Sequence, residues 1–125
     1  MRIPVFVIAA AALIGAAAAA LAQTVEPNKG CDSGVTVEMV DCLNAKAEFW
    51  DKRLNAAYPK ALNGAQPKQR EQLRKAQRAW VAFRDANCLY WSLGEGTIAR
   101  VQAVDCFYRM TKERAEEIEG AAEDN

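Results

Sequence analysis

The sequence predicts an all-α protein: an antiparallel three-helix bundle in up-down-up order, stapled by two disulfides. Apolar residues recur at steps of three and four in three long segments, which is the spacing of one helix face, and no segment alternates as a strand would. The connections between these segments are short, so neighbouring helices are expected to run antiparallel. Four cysteines in a small chain supply the cross-links.

The first 22 residues have the pattern of a secretory signal peptide. Arg2 precedes an almost wholly apolar run from Ile3 to Leu21, and the run ends in the small-x-small sequence Ala20-Leu21-Ala22. The run approaches membrane-spanning length, so an uncleaved anchor is the alternative. Gln23 follows the cleavage pattern, and no lipoprotein cysteine is present there. We therefore expect a single mature domain over residues 23–125, periplasmic or secreted, with no stable membrane insertion after cleavage.

The charge balance gives no reason to expect a nucleic-acid partner. The chain has 16 basic and 16 acidic residues, and one basic residue lies in the leader, so the mature chain has a net charge of −1. The charges are unevenly placed, as is typical of solvated helix faces. A basic run comprises Lys68, Arg70, Arg74, Lys75, Arg78 and Arg84, and an acidic run comprises Glu113, Glu116, Glu117, Glu119, Glu123 and Asp124.

The four cysteines are Cys31, Cys42, Cys88 and Cys106. An even number in a small exported domain indicates two disulfides. No CxxC pair and no histidine occur, so we expect neither a metal site nor a cofactor. Three pairings are possible, and we favour Cys31 with Cys42 and Cys88 with Cys106 because both close short segments. In the up-down-up arrangement all four lie toward one end of the bundle.

Boundary signals define the first helix. Thr36 is a good N-cap, and Glu38 lies in the first turn, where the helix dipole favours a carboxylate. Pro59 is expected to end or kink the helix near Tyr58, and Asn63-Gly64 supplies a stop. The apolar positions of this helix are Met39, Leu43, Ala47, Trp50, Leu54 and Ala57.

The second and third helices are separated by a glycine-containing loop, Ser92–Gly96. Pro67 fits the first turn of the second helix, Thr97 is a cap for the third, and the tail from Gly120 is expected to fray. The apolar positions are Leu73, Ala76, Trp80, Phe83, Cys88 and Trp91 in the second helix, and Ile98, Val101, Val104, Cys106, Phe107, Met110 and Ile118 in the third.

One stripe of the second helix is unusual because it mixes Gln77, Trp80, Arg84 and Cys88 at helical spacing. A buried guanidinium without partners is very costly, so Arg84 needs either partners or exposure. Its candidate partners are Asn55, Tyr58, Asp85 and Asp105. Two interpretations stay open: an internal polar clasp that fixes helix register, and an exposed recognition patch anchored by Trp80 and Arg84.

The sequence argues against an enzyme. Without histidine, neither a Ser-His nor a Cys-His nucleophile pair can be built. No phosphate-binding glycine motif occurs. Glu38 and Asp41 are carboxylates at helical spacing and could in principle act as an acid/base pair. The same spacing is equally typical of a solvent-exposed helix surface.

Several blocks together resemble the LprI-type family, the lysozyme-inhibitor LprI N-terminal domain. They are "TVEMVDC", "LNAAY", "AQRAWVAFRDANC" and "CFYRMTKER", and they extend over about Cys31 to Ile118. The resemblance implies structural roles for the four cysteines and for Asn55, Tyr58, Gln77, Trp80, Arg84, Asp85, Thr111 and Arg114. Pro59, directly after the Tyr of "LNAAY", departs from the pattern.

The resemblance implies an exported helical protein that inhibits lysozyme or another peptidoglycan hydrolase by protein–protein blockade. The candidate partner-binding residues are Gly94, Glu95, Gly96 and Thr97, in the loop that a disulfide would hold stiffly. The alternative interpretation of this loop is that it only connects two helices. A second candidate surface is the acidic tail, which could attract a cationic lysozyme. The alternative function is a non-inhibitory envelope interaction or adaptor module.

Overall fold

A computed structural model describes residues 25–124, and three α-helices account for most of them: α1 (Thr36–Gly64), α2 (Pro67–Ser92) and α3 (Ile98–Glu123). No strand occurs within this range, so the predicted all-α class is confirmed. None of these helices is long and apolar enough to cross a membrane. The predicted signal peptide, residues 1–22, lies outside the described residues.

The helices follow the predicted up-down-up order, but they do not pack equally. α1 and α3 run parallel and pack closely, with the Lys46 ammonium over the Tyr108 ring and, further along both helices, Arg53 paired to Glu119. α2 packs antiparallel on α3 and scarcely touches α1. The bundle is therefore open between α1 and α2.

The core lies mainly between α1 and α3. Small side chains such as Ala57, Ala61 and Ala115 let the two helices approach closely around Trp50 and Ile118. α2 contributes only Cys88 as a fully buried residue, while Leu73 and Trp80 are partly buried against the core. Because α2 buries so little, polar contacts and a disulfide carry much of its attachment to α3.

The first helix does not end near Tyr58, which was one of the two outcomes predicted for Pro59. Pro59 lies inside α1, which continues to Gly64. Pro59 faces solvent, so water can hydrate the carbonyl that its missing N–H leaves free, while Ala61 on the buried side is only 1% exposed and anchors the last turn. The predicted stop at Asn63-Gly64 is confirmed.

Two other boundary predictions also differ from the structure. Thr36 is the first residue of α1 and not its cap; Val35 occupies the N-cap position, without a side-chain hydrogen bond. The tail from Gly120 is helical as far as Glu123, and Glu119 one residue earlier is tied to Arg53. Thr97 does precede α3 as predicted, although its side chain makes no capping hydrogen bond.

The turn between α1 and α2 is held by Arg70. Its guanidinium donates hydrogen bonds to the carbonyl oxygens of Leu62 (2.8 Å) and Ala65 (3.1 Å). These bonds satisfy carbonyl groups at the end of α1 that have no helical partner. Pro67 is the first residue of α2, as predicted.

The predicted apolar face of α2 is only partly the inner face. Ala76 and Phe83 are exposed, Phe83 by 62%. Trp80 of the predicted face does pack toward α3, and the polar residues Gln77 and Arg84 lie beside it there. Ile98 at the start of α3 is also exposed. Residue hydrophobicity alone therefore predicted only part of this face, because polar side chains occupy some of the inner positions.

Candidate functional site

Both disulfides lie at one end of the bundle. Cys31 is joined to Cys42 and Cys88 to Cys106, with Cα–Cα distances of 5.2 and 5.5 Å. We call this end the disulfide pole; it consists of residues 29–42 and 88–106, where α1 and α3 begin and α2 ends. The two cross-links of the predicted fold are thus present: Cys88–Cys106 joins the segments on either side of the α2–α3 loop, and Cys31–Cys42 joins the segment before α1 to α1.

Arg84 is enclosed between α2 and α3. Its side chain is only 11% exposed, and the guanidinium carbon lies 4.8 Å from the Trp80 ring centroid and 4.0 Å from that of Phe107. Its charge is met by Asp85, which accepts hydrogen-bond contacts of 2.9 and 2.8 Å. This geometry supports the internal clasp and leaves Arg84 little surface to offer a partner.

A second buried guanidinium, that of Arg114 on α3, adds to the contact between α2 and α3. Arg114 is 8% exposed; its Nε donates to Gln77 Oε1 at 2.9 Å and its Nη1 to Glu117 Oε2 at 2.7 Å. The Trp80 ring centroid lies 6.0 Å from its guanidinium carbon. We call Gln77, Trp80 and Arg84 of α2, with Phe107 and Arg114 of α3, the Trp80 seam. Fully buried Thr111 precedes Arg114 by one turn of α3.

The other expected partners of Arg84 lie elsewhere. Asn55 is exposed and donates a 3.0 Å hydrogen bond to Asp51 on its own helix. Tyr58 is half-buried against the apolar core. Asp105 accepts from Arg109 at 2.8 Å. Of the four candidate partners, Asp85 is therefore the one that pairs with Arg84. Asn55 and Tyr58 lie on α1, which scarcely touches α2, and Asp105 on α3 pairs with Arg109.

The open side of the Trp80 seam is a shallow groove between α1 and α2. It has a volume of about 290 Å³ and is lined by Asn44, Ala47, Glu48, Asp51, Arg84 and Phe107. This volume is at the lower limit of small-molecule pockets, and one wall carries carboxylates. The groove gives no support for an enzyme active site.

Sequence reasoning missed a cluster around Glu26. The Tyr108 hydroxyl donates a 2.6 Å hydrogen bond to Glu26 Oε1, and the ammonium groups of Lys46 and Lys112 lie 3.7 and 3.6 Å from the carboxylate oxygens. Burial by itself would raise the pKa of Glu26, but the hydrogen bond and the two cations outweigh it and hold that pKa below its ordinary value. Glu26 and Tyr108 are 82 positions apart, so no local pattern signals the contact.

The contact with Glu26 also raises the pKa of Tyr108. Burial, and next the hydrogen bond to the Glu26 carboxylate, raise the pKa of Tyr108 to about 12. A phenolate beside a carboxylate is unfavourable, so the hydroxyl stays protonated and continues to donate. The cluster thereby attaches the segment before α1 to both α1 and α3.

The disulfide pole carries most of the exposed apolar side chains. Leu93 is 76% exposed and Ile98 is 53% exposed, one on each side of the loop Gly94–Thr97. We call the exposed aliphatic residues at this end the pole patch: Val35, Val37, Leu89, Leu93 and Ile98. The loop residues themselves are exposed. An exposed apolar group of this kind commonly marks an interaction surface.

Most of the exposed charged residues at the disulfide pole are acidic. Asp32, Glu38, Asp41 and Glu95 are exposed there, against exposed Lys29 and Arg100. Gly96 has a φ of +73°, a conformation that favours glycine. Among residues 25–124, no group of His, Cys, Asp or Glu could hold a metal ion.

A protein-family model described as lysozyme inhibitor LprI matches residues 28–118. The match includes all four cysteines, the Trp80 seam and the α2–α3 loop. Neither the curated proteins nor the solved structures compared with the chain give a match.

Proposed function

This chain belongs to the lysozyme inhibitor LprI family, and we propose that it inhibits a lysozyme or another peptidoglycan hydrolase by covering the active-site cleft with its pole patch. The action takes place outside the cytoplasm, where the predicted leader would deliver the protein. The mature domain spans residues 23–125 in this proposal.

The observation that carries the proposal is the exposure of Leu93 and Ile98 around a loop enclosed by a disulfide. Cys88 and Cys106 are joined on either side of that loop. A loop held in this way loses less conformational entropy when a partner binds. Leu93 and Ile98 would then make apolar contacts with the enzyme, and the backbone of the loop between them could lie close to its surface. Both would belong to a preorganised surface.

The loop composition favours steric cover over neutralisation of catalytic groups. Lysozyme-type enzymes cleave between two carboxyl groups that flank the scissile bond. Residues 93–98 include Glu95 and no cation, so they provide no positive charge to place between those carboxyl groups. Gly94 and Gly96 keep the loop narrow, and Thr97 supplies a hydroxyl that can hydrogen-bond to the enzyme.

The charge of the pole favours a cationic hydrolase. The exposed carboxylates Asp32, Glu38, Asp41 and Glu95 lie at the same pole as the patch and would steer a positively charged enzyme toward that end. The acidic tail of α3 is less suited to this role. It lies at the far end of the bundle, where Glu119 is paired with Arg53 and Glu117 with Arg114.

The test is a turbidity assay in which purified mature protein is mixed with a lysozyme and a peptidoglycan suspension. We expect the wild type to slow clearing, and L93D and I98D each to raise the concentration for half-inhibition at least about tenfold, because a carboxylate at a buried interface position stays unpaired. V25D is the matched control, since Val25 is 69% exposed and lies beside Phe49 and Arg53, away from the pole.

Unchanged inhibition by both L93D and I98D would refute the pole patch as the binding surface. No slowing by wild-type protein at micromolar excess over several hydrolases would refute inhibition itself. That second result would favour the adaptor alternative.

A further inference from the structure

α2 has an apolar stripe on its outer face that no element of the fold covers. Ala76, Ala79, Phe83, Ala86 and Tyr90 follow one another at steps of three, four, three and four, and all five are exposed. Phe83 is 62% exposed and Tyr90 is 71% exposed. Such spacing is that of a helix face packed against another helix. We call these five residues the α2 stripe.

We propose that the α2 stripe binds the α2 stripe of a second copy of this chain, as an antiparallel, two-fold symmetric helix pair. The inference goes beyond inhibition and does not depend on it. The pole patch is a different set of residues.

The order of large and small residues fits this arrangement. When two stripes run antiparallel with the two-fold axis between positions 84 and 85, Phe83 lies opposite the second copy's Ala86, and Tyr90 lies opposite its Ala79. Each large ring meets a small side chain, and symmetry repeats both contacts. The contact extends over about 17 Å of helix at 1.5 Å per residue. The Tyr90 ring already rests edge-on against Trp91, with centroids 5.3 Å apart, so little motion is lost on pairing.

Charge also favours a second copy in the antiparallel sense. The first half of α2 exposes Lys68, Arg74, Lys75 and Arg78 against Glu71. From Ala79 to the end of the loop, the exposed charged residues are Asp85 and Glu95, because Arg84 is turned inward. An antiparallel pair keeps the two cationic halves apart, whereas a parallel pair would place them together. A cationic hydrolase would be repelled by the same basic half.

The contact is small, and this sets the expected strength. A single helix pair of this length buries less than the roughly 800 Å² per partner of a standard stable interface, so we expect a reversible dimer that forms at about 100 µM. Sedimentation equilibrium of the oxidised protein between about 10 and about 500 µM measures this directly. A non-reducing gel establishes that the dimer is not disulfide-linked.

F83E is the test variant, and we expect it to be monomeric across this range. L89E is the matched control, because Leu89 is 57% exposed on the same helix but off the stripe, and it should dimerise as the wild type does. Helical circular dichroism checks that both variants fold. A86K should also weaken the dimer, and mixing F83E with A86K should restore association, since in this register the two introduced charges face each other.

A wild type that stays monomeric at about 500 µM would overturn the proposal. It would equally be overturned by an F83E protein that dimerises like the wild type, or by equal loss of the dimer in F83E and L89E. Failure of the F83E and A86K mixture to associate more strongly than either variant alone would overturn the antiparallel register.

Discussion

Arg114 Nε on α3 donates a 2.9 Å hydrogen bond to Gln77 Oε1 on α2, and this contact joins two helices that share little apolar packing. The buried guanidinium has its long stem in the interior and its charge met by Glu117 at the surface. α2 is therefore positioned by directional contacts, which fix its rotation about its own axis more closely than aliphatic packing would.

R114A should lower the free energy of unfolding by about 2–3 kcal/mol, because Gln77 loses a charged donor and the buried stem leaves a gap. Urea denaturation measures the change. E117A is the control and should cost less than about 1 kcal/mol, since the Glu117 side chain is 66% exposed. Equal losses in the two variants would show that the bond to Gln77 contributes nothing.

Arg84 and Phe107 should be energetically coupled. A double-mutant cycle with R84M and F107L is expected to give a coupling energy of about 1 kcal/mol, the size of a partly desolvated cation–π contact. D85A alone should have a smaller effect, because Asp85 is 57% exposed. Additive effects of R84M and F107L would mean that the 4.0 Å stacking contributes no stability.

The Cys88–Cys106 disulfide should matter for both stability and inhibition. C88A/C106A is expected to lose about 3 kcal/mol, as the bond closes a segment of 18 residues. It should also inhibit less than C31A/C42A, because the loop Gly94–Thr97 lies within the segment that Cys88–Cys106 closes. Thermal melts and the turbidity assay, run well below both melting temperatures, separate the two effects. Identical inhibition by both double variants would contradict a role for loop stiffness.

Glu26 and Tyr108 predict the pH dependence of stability. The pKa of Glu26 is lowered on folding, so its contribution is present above the ordinary carboxyl pKa and is lost as the pH falls through the folded value. E26Q should therefore be less stable than the wild type at neutral pH and should lose less stability on acidification. Melting temperatures from pH 7 to pH 3 test this. Parallel curves for the two proteins would contradict it.

Tyr108 predicts how stability changes at alkaline pH. The pKa of Tyr108 is raised to about 12, so its contribution is complete below the ordinary tyrosine pKa and is lost as the pH rises through the folded value. Tyrosine absorbance should show one of the three tyrosines ionising late in the wild type, and Y108F should lack that phase. A late phase that persists in Y108F would assign it to another tyrosine.

The sequence by itself determined the helices and their order. The helical period, Pro67 and the glycine-containing loop are signals that depend on neighbours within a few residues, so local chemistry was enough to predict the helices. The sequence favoured the observed disulfide pairing among three possible ones, and the folded structure decided it. The motif blocks also predicted the family over almost the same residues as the family match. The continuation of α1 through Pro59 could not be predicted in this way, because it depends on Ala61 packing against another helix.

Only the tertiary structure decided which side of α2 faces inward and which residues stay on the surface. The inner positions of Gln77, Trp80 and Arg84 depend on Phe107 and Arg114, which are 23 or more positions away from Arg84 and lie on another helix. The same rotation exposes Phe83 and leaves α1 apart from α2. Periodicity defines a helix face, but the direction of that face is set by the partners that satisfy its polar groups, and those partners meet only when the chain has folded.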